Sequence, residues 1–374
     1  MAIFKKKKSQ SDSYENSVRR IIEKEKPILG IDIGSSSIKI VSMKKNHELD
    51  KWALEYVPIG MLNGGKIEAK EPLVDIIKNA LKTYKIKTKD CALYLSAKDL
   101  IVRELTFPEM GDYQIRENIK QEISSVLPQD RDEYFIDYKI LEYIKAEGSL
   151  EGQIRVLAVA VPEKLVYDYM DVLKRAGLRV KYIDVLPNIA GKLCNMVHKD
   201  RPEDKARNIC MIDFGSKKTE IVIFKDCNYY LHKLITYGGD YLTEVISERS
   251  AMDEIDAEDY KCKTNFFEGD QEDTIVRAVY EYFEYLLRDF ARTIEFYGNR
   301  TGESIDLIYI MGGGAQLAGF PQHLEDQLGI KVKQAGDIIG SIAKVGETGA
   351  LDKHASVLIQ AIGVTLREEW KHER

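Results

Sequence analysis

The stretch ILGIDIGSSSIKIVSM, residues 28–43, joins two apolar runs through a glycine-serine segment, and it returns as ICMIDFGSKKTEIVIF at residues 209–224. Aligning Ile31 with Ile212 makes Asp32 and Asp213, Gly34 and Gly215, Ser35 and Ser216, Ile40 and Ile221, and Val41 and Val222 identical. Each copy reads as a strand ending in Asp, a tight turn and a second strand. Related hairpins half a chain apart predict a duplicated domain with a shared cleft rather than a short-period solenoid. Glycine permits a turn whose successive N–H groups make an anion-binding concavity. Two such turns facing each other would grip a polyphosphate, one through Gly34, Ser35, Ser36 and Ser37, the other through Gly215 and Ser216. Asp32 and Asp213 would hold the waters of a bound Mg²⁺, an ion that keeps its waters readily. Lys39 either neutralises a phosphate or faces solvent on an alternating strand.

Outward from the first hairpin, Trp52–Val57 offers a third strand. EPLVDIIKNALKTY (71–84) reads as a helix with Pro at its first turn, and CALYLS (91–96) as a buried strand. The texture then changes. LIVRELTF is strand-like, DYQIRENIKQEISSVL is an amphipathic helix stopped by Pro128, and YFIDYKILEYI with GQIRVLAVAV makes a hairpin, so 98–161 is a βαββ insert. The α/β pattern resumes with a helix from Lys164 to Ala176, the strand RVKYIDV and a helix opened by Pro187. Asp184, closing that strand, either orients a water as a general base or caps the following helix.

A third glycine cluster follows a buried strand in DLIYIMGGGAQLAGFPQHLEDQLGI (306–330). Gly312, Gly313 and Gly314 either admit a nucleotide's adenosine end or allow tight strand-to-helix packing. Gly60 to Lys66 fits the GxxxxGK part of a P-loop, but Ile67 stands where Ser or Thr should bind Mg²⁺, so it reads as a connecting turn.

Composition narrows the function classes. A 374-residue chain with 44% hydrophobic residues holds two or three cored domains, which excludes a disordered or disulfide-stapled protein. The net charge of −6 argues against a nucleic-acid coat. Five dispersed cysteines without a CxxC pair suggest reduced thiols, and six histidines without HExxH leave no zinc-hydrolase reading. Neither a membrane span nor a secretion signal is visible. Residues 1–26, with eight Lys/Arg and four Asp/Glu, read as an appended basic tail.

IDIGSSSIKIV, MIDFGSKKTEIVIF and YIMGGGAQLAGF, in this order, resemble the two phosphate motifs and the adenosine motif of the actin, hexokinase and Hsp70 superfamily. Within it the chain resembles the PilM family of type IV pilus assembly. The resemblance is carried by GGKIEAKEPLVDIIKNAL (64–81), FPEMGDYQIRENIKQEISSVLPQDRDEYFIDYKIL (107–141), Tyr237–Thr243 with Ala257–Lys261, and SVLIQAIGVTLREEW (356–370). It implies an actin-like, ribonuclease H-like α/β fold of two duplicated domains with the inserted subdomain of PilM and the division protein FtsA. The expected division is a tail over 1–26, subdomain 1A over 27–97 and 162–200, insert 1C over 98–161, 2A over 208–240 and 300–374, and 2B over 241–299. The resemblance places Glu258 and Lys261 against ribose and adenine, although an i,i+3 pair is also an ordinary surface feature. It adds Thr219, Gly239 and Ala315 to the nucleotide site, with ATP or ADP and Mg²⁺ as cofactors.

The implied function is an ATP-binding scaffold on the inner face of the cytoplasmic membrane, at most a weak ATPase. It would hold the N-terminal cytoplasmic segment of a PilN-like single-span protein beside the insert, where Leu105, Phe107, Pro108 and Met110 are either pocket or core. Pilus motor ATPases and further copies of the chain are compatible partners; nucleic acid is not expected. The rivals are an FtsA-like division filament protein and a sugar or acetate kinase, for which no acceptor motif is visible.

Overall fold

The computed structural model describes residues 27–44, 48–127, 134–145, 152–200, 206–270, 272–342, 351 and 353–366. The basic tail, Pro128 and the end of the chain beyond Leu366 lie outside them.

The first half opens with strands β1 (Ile28–Ile33), β2 (Ser37–Met43) and β3 (Leu49–Tyr56). The two-residue strands β4 (Leu62–Asn63) and β5 (Lys66–Ile67) pair as a small hairpin, so the GxxxxGK segment is a connecting turn. Helix α1 (Lys70–Thr83) leads to β6 (Asp90–Tyr94). The insert comprises β7 (Ile101–Pro108), α2 (Asp112–Val126), β8 (Tyr134–Ile144) and β9 (Gln153–Pro162). Helix α3 (Glu163–Arg175), β10 (Arg179–Asp184) and α4 (Leu186–Asp200) complete the half.

The second half runs β11 (Ile209–Phe214), β12 (Thr219–Lys225), β13 (Asn228–Ile235), α5 (Gly239–Ser250), α6 (Glu254–Lys263), α7 (Thr274–Thr301), β14 (Leu307–Met311), α8 (Phe320–Leu328), β15 (Val332–Gln334) and α9 (Ala355–Gly363). The sheet orders are β3-β2-β1-β6-β10 and β13-β12-β11-β14-β15, with three antiparallel strands and then two parallel ones in each. The identical connectivity carries the duplication from two hairpins to two whole sheets.

Strands β2 and β12 are buried on both faces along almost their whole length, so their polar residues, among them Lys39 and Glu220, are enclosed with the apolar ones. One face of the first sheet packs on α1 and α3 through Ile31, Leu73, Ile77 and Tyr169. One face of the second packs on α5 to α8 through Phe214, Leu242, Phe283 and Phe320. The inner faces share a core with α4 and α9, including Val41, Ile189, Met211 and Ile359. A Cβ on Gly30 would lie 1.7 Å from the Ala361 carbonyl oxygen, so β1 touches the backbone of α9 with no room for a side chain. Cys227 Sγ lies 3.9 Å from Cys194 O within that shared core, bringing two of the dispersed cysteines together.

The insert is a three-stranded sheet, β7-β9-β8, covered by α2. Ile115, Ile119 and Ile123 repeat at helical spacing and meet Ile154, Val156, Ala158 and Ala160 at strand spacing. Leu105, Phe107 and Met110 pack against this core, which is the plainer of their two readings, and Pro108 is exposed. The 28-residue α7 is a feature that the sequence reading leaves without an element. Asp273 caps it, accepting from Ile275 N at 2.7 Å and Val276 N at 3.1 Å, and Gly302 ends it in the left-handed region at φ 71°.

Candidate functional site

Both glycine turns close in the same way. Gly34 N donates to Ser37 O, and Gly215 N to Lys218 O, each at 3.0 Å. Strand register places Asp32 opposite Lys39 and Asp213 opposite Glu220, so each aspartate shares a sheet face with the residue seven positions on. Lys39 is 9% exposed and pairs with Asp32 at 3.1 Å, which excludes the solvent-facing alternative. Ser35 is half-buried, Ser36 exposed and Ser37 buried.

On the second turn, Gly239 N donates to Gly215 O at 3.0 Å and Asp240 N to Ser216 O at 2.8 Å. The first N–H groups of α5 are thereby fastened to the turn. Thr219 is wholly buried and its hydroxyl donates to Tyr237 O at 3.1 Å, so its proton is committed within the fold. Lys261, 5% exposed, donates to Thr243 Oγ1 at 2.8 Å, to Gly239 O at 3.1 Å and to Glu258. Burial works to raise the Glu258 carboxyl, but the charge and hydrogen bond of Lys261 outweigh it and hold the group below its ordinary value. The pair therefore braces α6 against the head of α5, beside the turn; it is no free surface pair.

The triple glycine has three distinct surroundings. Gly312 has φ 83°, and a Cβ there would stand 2.6 Å from both Asp213 Oδ1 and Phe214 O. A Cβ on Gly314 would overlap the Phe214 ring, with Cδ1 at 2.0 Å. One on Gly313 would meet nothing within 4 Å. Tight packing thus accounts for two of the glycines, and the third faces open space. Ala315, fully buried, joins the second-half core.

Asp213 links these parts. Burial pushes its carboxyl up to about 6, with Glu220 and Asp32 acting the same way against a hydrogen bond from Gln360 and the charge of Lys39. Tyr94 of β6 donates to Asp213 Oδ2 at 3.4 Å across the two halves. Asp184 is engaged elsewhere: it accepts from Val185 N and Lys192 Nζ, both at 2.8 Å, and from Asn188 Nδ2 at 3.0 Å. Those contacts tie the carboxylate to two side chains of α4 and to the N–H just before the helix.

A second polar cluster bridges the two halves. Ser96 of the first half bonds both Lys218 and Glu220 of the second, and Glu220 also pairs with Lys218 and His232, each at 2.8 Å. Burial would raise the Glu220 carboxyl, but Lys218 and His232 hold it well below the usual carboxylate range. Glu220 and His232 line a cavity of about 230 Å³ whose apolar wall includes Leu100, Ile101 and Val102 from the insert and Leu186 and Leu234 from the two halves. Its lining comes from several separate segments, so no single motif in the sequence announces it.

The donor set at the facing aspartates suits a hydrated, hard cation. Asp32 and Asp213 offer carboxylate oxygens, the donors such an ion takes, and Gln360 Oε1 is buried without a hydrogen-bond partner among the described residues. No group of three or more His, Cys, Asp or Glu able to hold a metal directly occurs among the described residues.

The family model for type IV pilus assembly protein PilM matches residues 30–369. The chain belongs to the PilM family. Among solved structures it is similar to a PilM–PilN type IV pilus biogenesis complex, with TM-score 0.78 and 24% identity over 90% of this chain and 97% of that one. It is also similar to the ethanolamine utilization protein EutJ of Carboxydothermus hydrogenoformans, with TM-score 0.56 and 14% identity over 91% of this chain and 89% of that one. At these identities the two structures speak for the fold, which is the actin-like fold expected of a PilM protein. No helix among the described residues is long and apolar enough to cross a membrane.

Proposed function

We propose that this PilM-family protein binds ATP or ADP with Mg²⁺ between its two halves and holds the N-terminal cytoplasmic segment of a PilN-like membrane protein against its insert. Through that segment it works at the inner face of the cytoplasmic membrane and links the partner to the pilus motor ATPases. The subdomain limits given above, 1A, 1C, 2A and 2B, belong to this proposal.

Gly34–Ser37 and Gly215–Lys218 would take the phosphates, with Lys39 neutralising charge once a phosphate competes for it. Gly313 would face the adenosine, and Glu258 with Lys261 would border it. Mg²⁺, when bound, supplies neutralisation of the phosphate charge; Asp32 and Asp213 accept hydrogen bonds from its waters. Nucleotide would bias the angle between the halves only by its differential affinity for the closed state. Output is binding rather than turnover, since the engaged Asp184 offers little support for a base.

The observation carrying the partner reading is the cavity at the root of the insert. An extended segment bound there gains apolar contact from Leu100, Ile101 and Leu234 and polar contact from Glu220 and His232. Titrating a peptide of the PilN-like N-terminus into the parent and into Leu234→Trp tests it. Binding to the parent with loss in the variant is expected. Equal binding would remove the segment from this cavity, and capture of a division polymer's tail instead would remove the pilus reading.

A further inference from the structure

Cys194 and Cys227, 33 positions apart, meet in the core shared by the two halves and have no part in the nucleotide or partner sites proposed above. Cys194 lies on α4 and is fully buried; Cys227 sits in the turn between β12 and β13 and is 9% exposed. Cys227 Sγ reaches to 3.9 Å from the Cys194 carbonyl oxygen. The turn that carries it is strained. Lys225 pairs with Asn228, so Asp226 and Cys227 form a two-residue hairpin loop, with φ 48° and 59°. Both values lie in the left-handed region, which a side chain enters at a cost, and Asp-Gly or Asn-Gly is the usual answer in such a loop. Here a cysteine stands in the glycine's place, and its side chain turns inward onto α4. Strain of this kind concentrates where a side chain has chemical work to do.

The pair also differs from the other three thiols. Burial pushes Cys91 and Cys210 up to about 12 and raises Cys262 as well. Within the pair, a hydrogen bond from the Cys194 thiol to the Cys227 sulfur raises Cys194 and, against burial, holds Cys227 below its ordinary value. Cys227 is therefore both the better nucleophile and the sulfur that a small molecule meets first.

We propose that Cys194 and Cys227 are a modification site for peroxides, closing to a disulfide that fastens α4 of the first half to the β12–β13 turn of the second. The Cys227 sulfur attacks one oxygen of hydrogen peroxide and the O–O bond breaks. The sulfur becomes a sulfenic acid, and the other oxygen leaves as water with the thiol proton. The Cys194 sulfur then attacks the sulfenic sulfur: the S–S bond forms, the S–O bond breaks, and the hydroxyl leaves with the Cys194 proton as a second water. Two thiols are oxidised and one peroxide is reduced to two waters. Only Cys227 need be reached from outside, because the second step is internal, so the full burial of Cys194 is no obstacle. A dithiol reductant reverses the bond by exchange.

The test treats the folded full chain with one equivalent of hydrogen peroxide and then counts free thiols in denaturant. The count should fall from five to three, the two lost being Cys194 and Cys227, and should return to five with dithiothreitol. Mass spectrometry of the digest should find the peptides of Cys194 and Cys227 joined and lighter by two hydrogens. Cys227→Gly, which suits the left-handed turn, leaves four thiols and should keep all four. Cys194→Ala strands the sulfenic acid, so dimedone should label Cys227 in that variant and not in the parent. Should Cys194→Ala fail to fold by circular dichroism, Cys194→Ser takes its place. A folded parent that keeps five thiols overturns the inference, as does a disulfide that forms only after unfolding in urea. Linkage through Cys262 of a second copy in place of the Cys194–Cys227 bond overturns it too, and so does a Cys227→Gly variant that loses thiols as the parent does.

Discussion

The three consecutive glycines allow binding and stability to be separated residue by residue. Gly314→Ala drives a methyl into the Phe214 ring, whose nearest atoms would stand 2.0, 2.3 and 2.7 Å away. Phe214 cannot yield easily, because it is fully buried and lies against Phe283 and Phe320 at centroid distances of 6.3 and 5.4 Å. Overpacking of this kind costs about 1–3 kcal/mol. With about 2.1 cal/mol/K of unfolding entropy per residue, a chain of this length loses only about 1 °C per kcal/mol, so denaturant titration is the more sensitive readout. Gly312→Ala adds left-handed strain at φ 83° to its contacts with Asp213 and Phe214, and costs a similar amount. Gly313→Trp meets no atom within 4 Å of its Cβ and should leave stability within about 0.5 kcal/mol. If that open space is where adenosine sits, the same variant should lose on the order of 100-fold in ATP affinity, about 2.8 kcal/mol. Calorimetry with ATP and urea unfolding on all three variants decide the matter. ATP affinity unchanged in a folded Gly313→Trp would refute the pocket, and a destabilised Gly313→Trp beside an untroubled Gly314→Ala would refute the packing argument.

Asp32→Ala and Asp213→Ala should each abolish the Mg²⁺-dependent part of ATP affinity, and a parent whose affinity is the same with and without EDTA would contradict this. Glu220→Gln removes a buried carboxylate from Lys218 and His232 and should cost roughly 3–5 kcal/mol at neutral pH. Because the folded pKa of Glu220 is lowered, its contribution is complete above the unfolded value of about 4.3 and is lost as pH falls below it. The stability gap between parent and Glu220→Gln should therefore shrink in acid; a gap independent of pH down to about 3 would show that charge is not its source. Ser96→Ala unfastens a hydroxyl shared across the halves and should cost about 1 kcal/mol. Hydrogen exchange around β6 should quicken with it, and unaltered exchange would mean that this bridge does not hold the halves together.

What was legible in the sequence is what is local. The two Asp-Gly-Ser hairpins could be read because strand, turn and strand follow one another, and both sheets grow from them in the same order. The insert could be read from Ile115, Ile119 and Ile123 at helical spacing against alternating β9 residues. Helix α7 was equally available, between the Asp273 cap and Gly302, with Val276, Val279, Phe283, Leu286 and Phe290 on one face; its dense aromatics hid that period. Contacts between the halves were out of reach. Ser96 meets Glu220 across 124 residues, and Tyr94 meets Asp213 across 119, so neither pairing leaves a spacing to detect.

The duplication also conceals a divergence that bears on how the cleft works. Lys39 and Glu220 occupy the same position in the two hairpins, each cross-strand from its aspartate. In the first copy the partner is a cation at 3.1 Å, and Asp32 has its counter-charge within the fold. In the second the partner is another carboxylate, which together with burial pushes Asp213 up to about 6. Asp32 is thus paired within the fold, whereas burial and two carboxylates act together on Asp213. On the proposed reading the two hairpins would divide the work, Asp213 with Glu220 favouring a hydrated cation and Lys39 a phosphate.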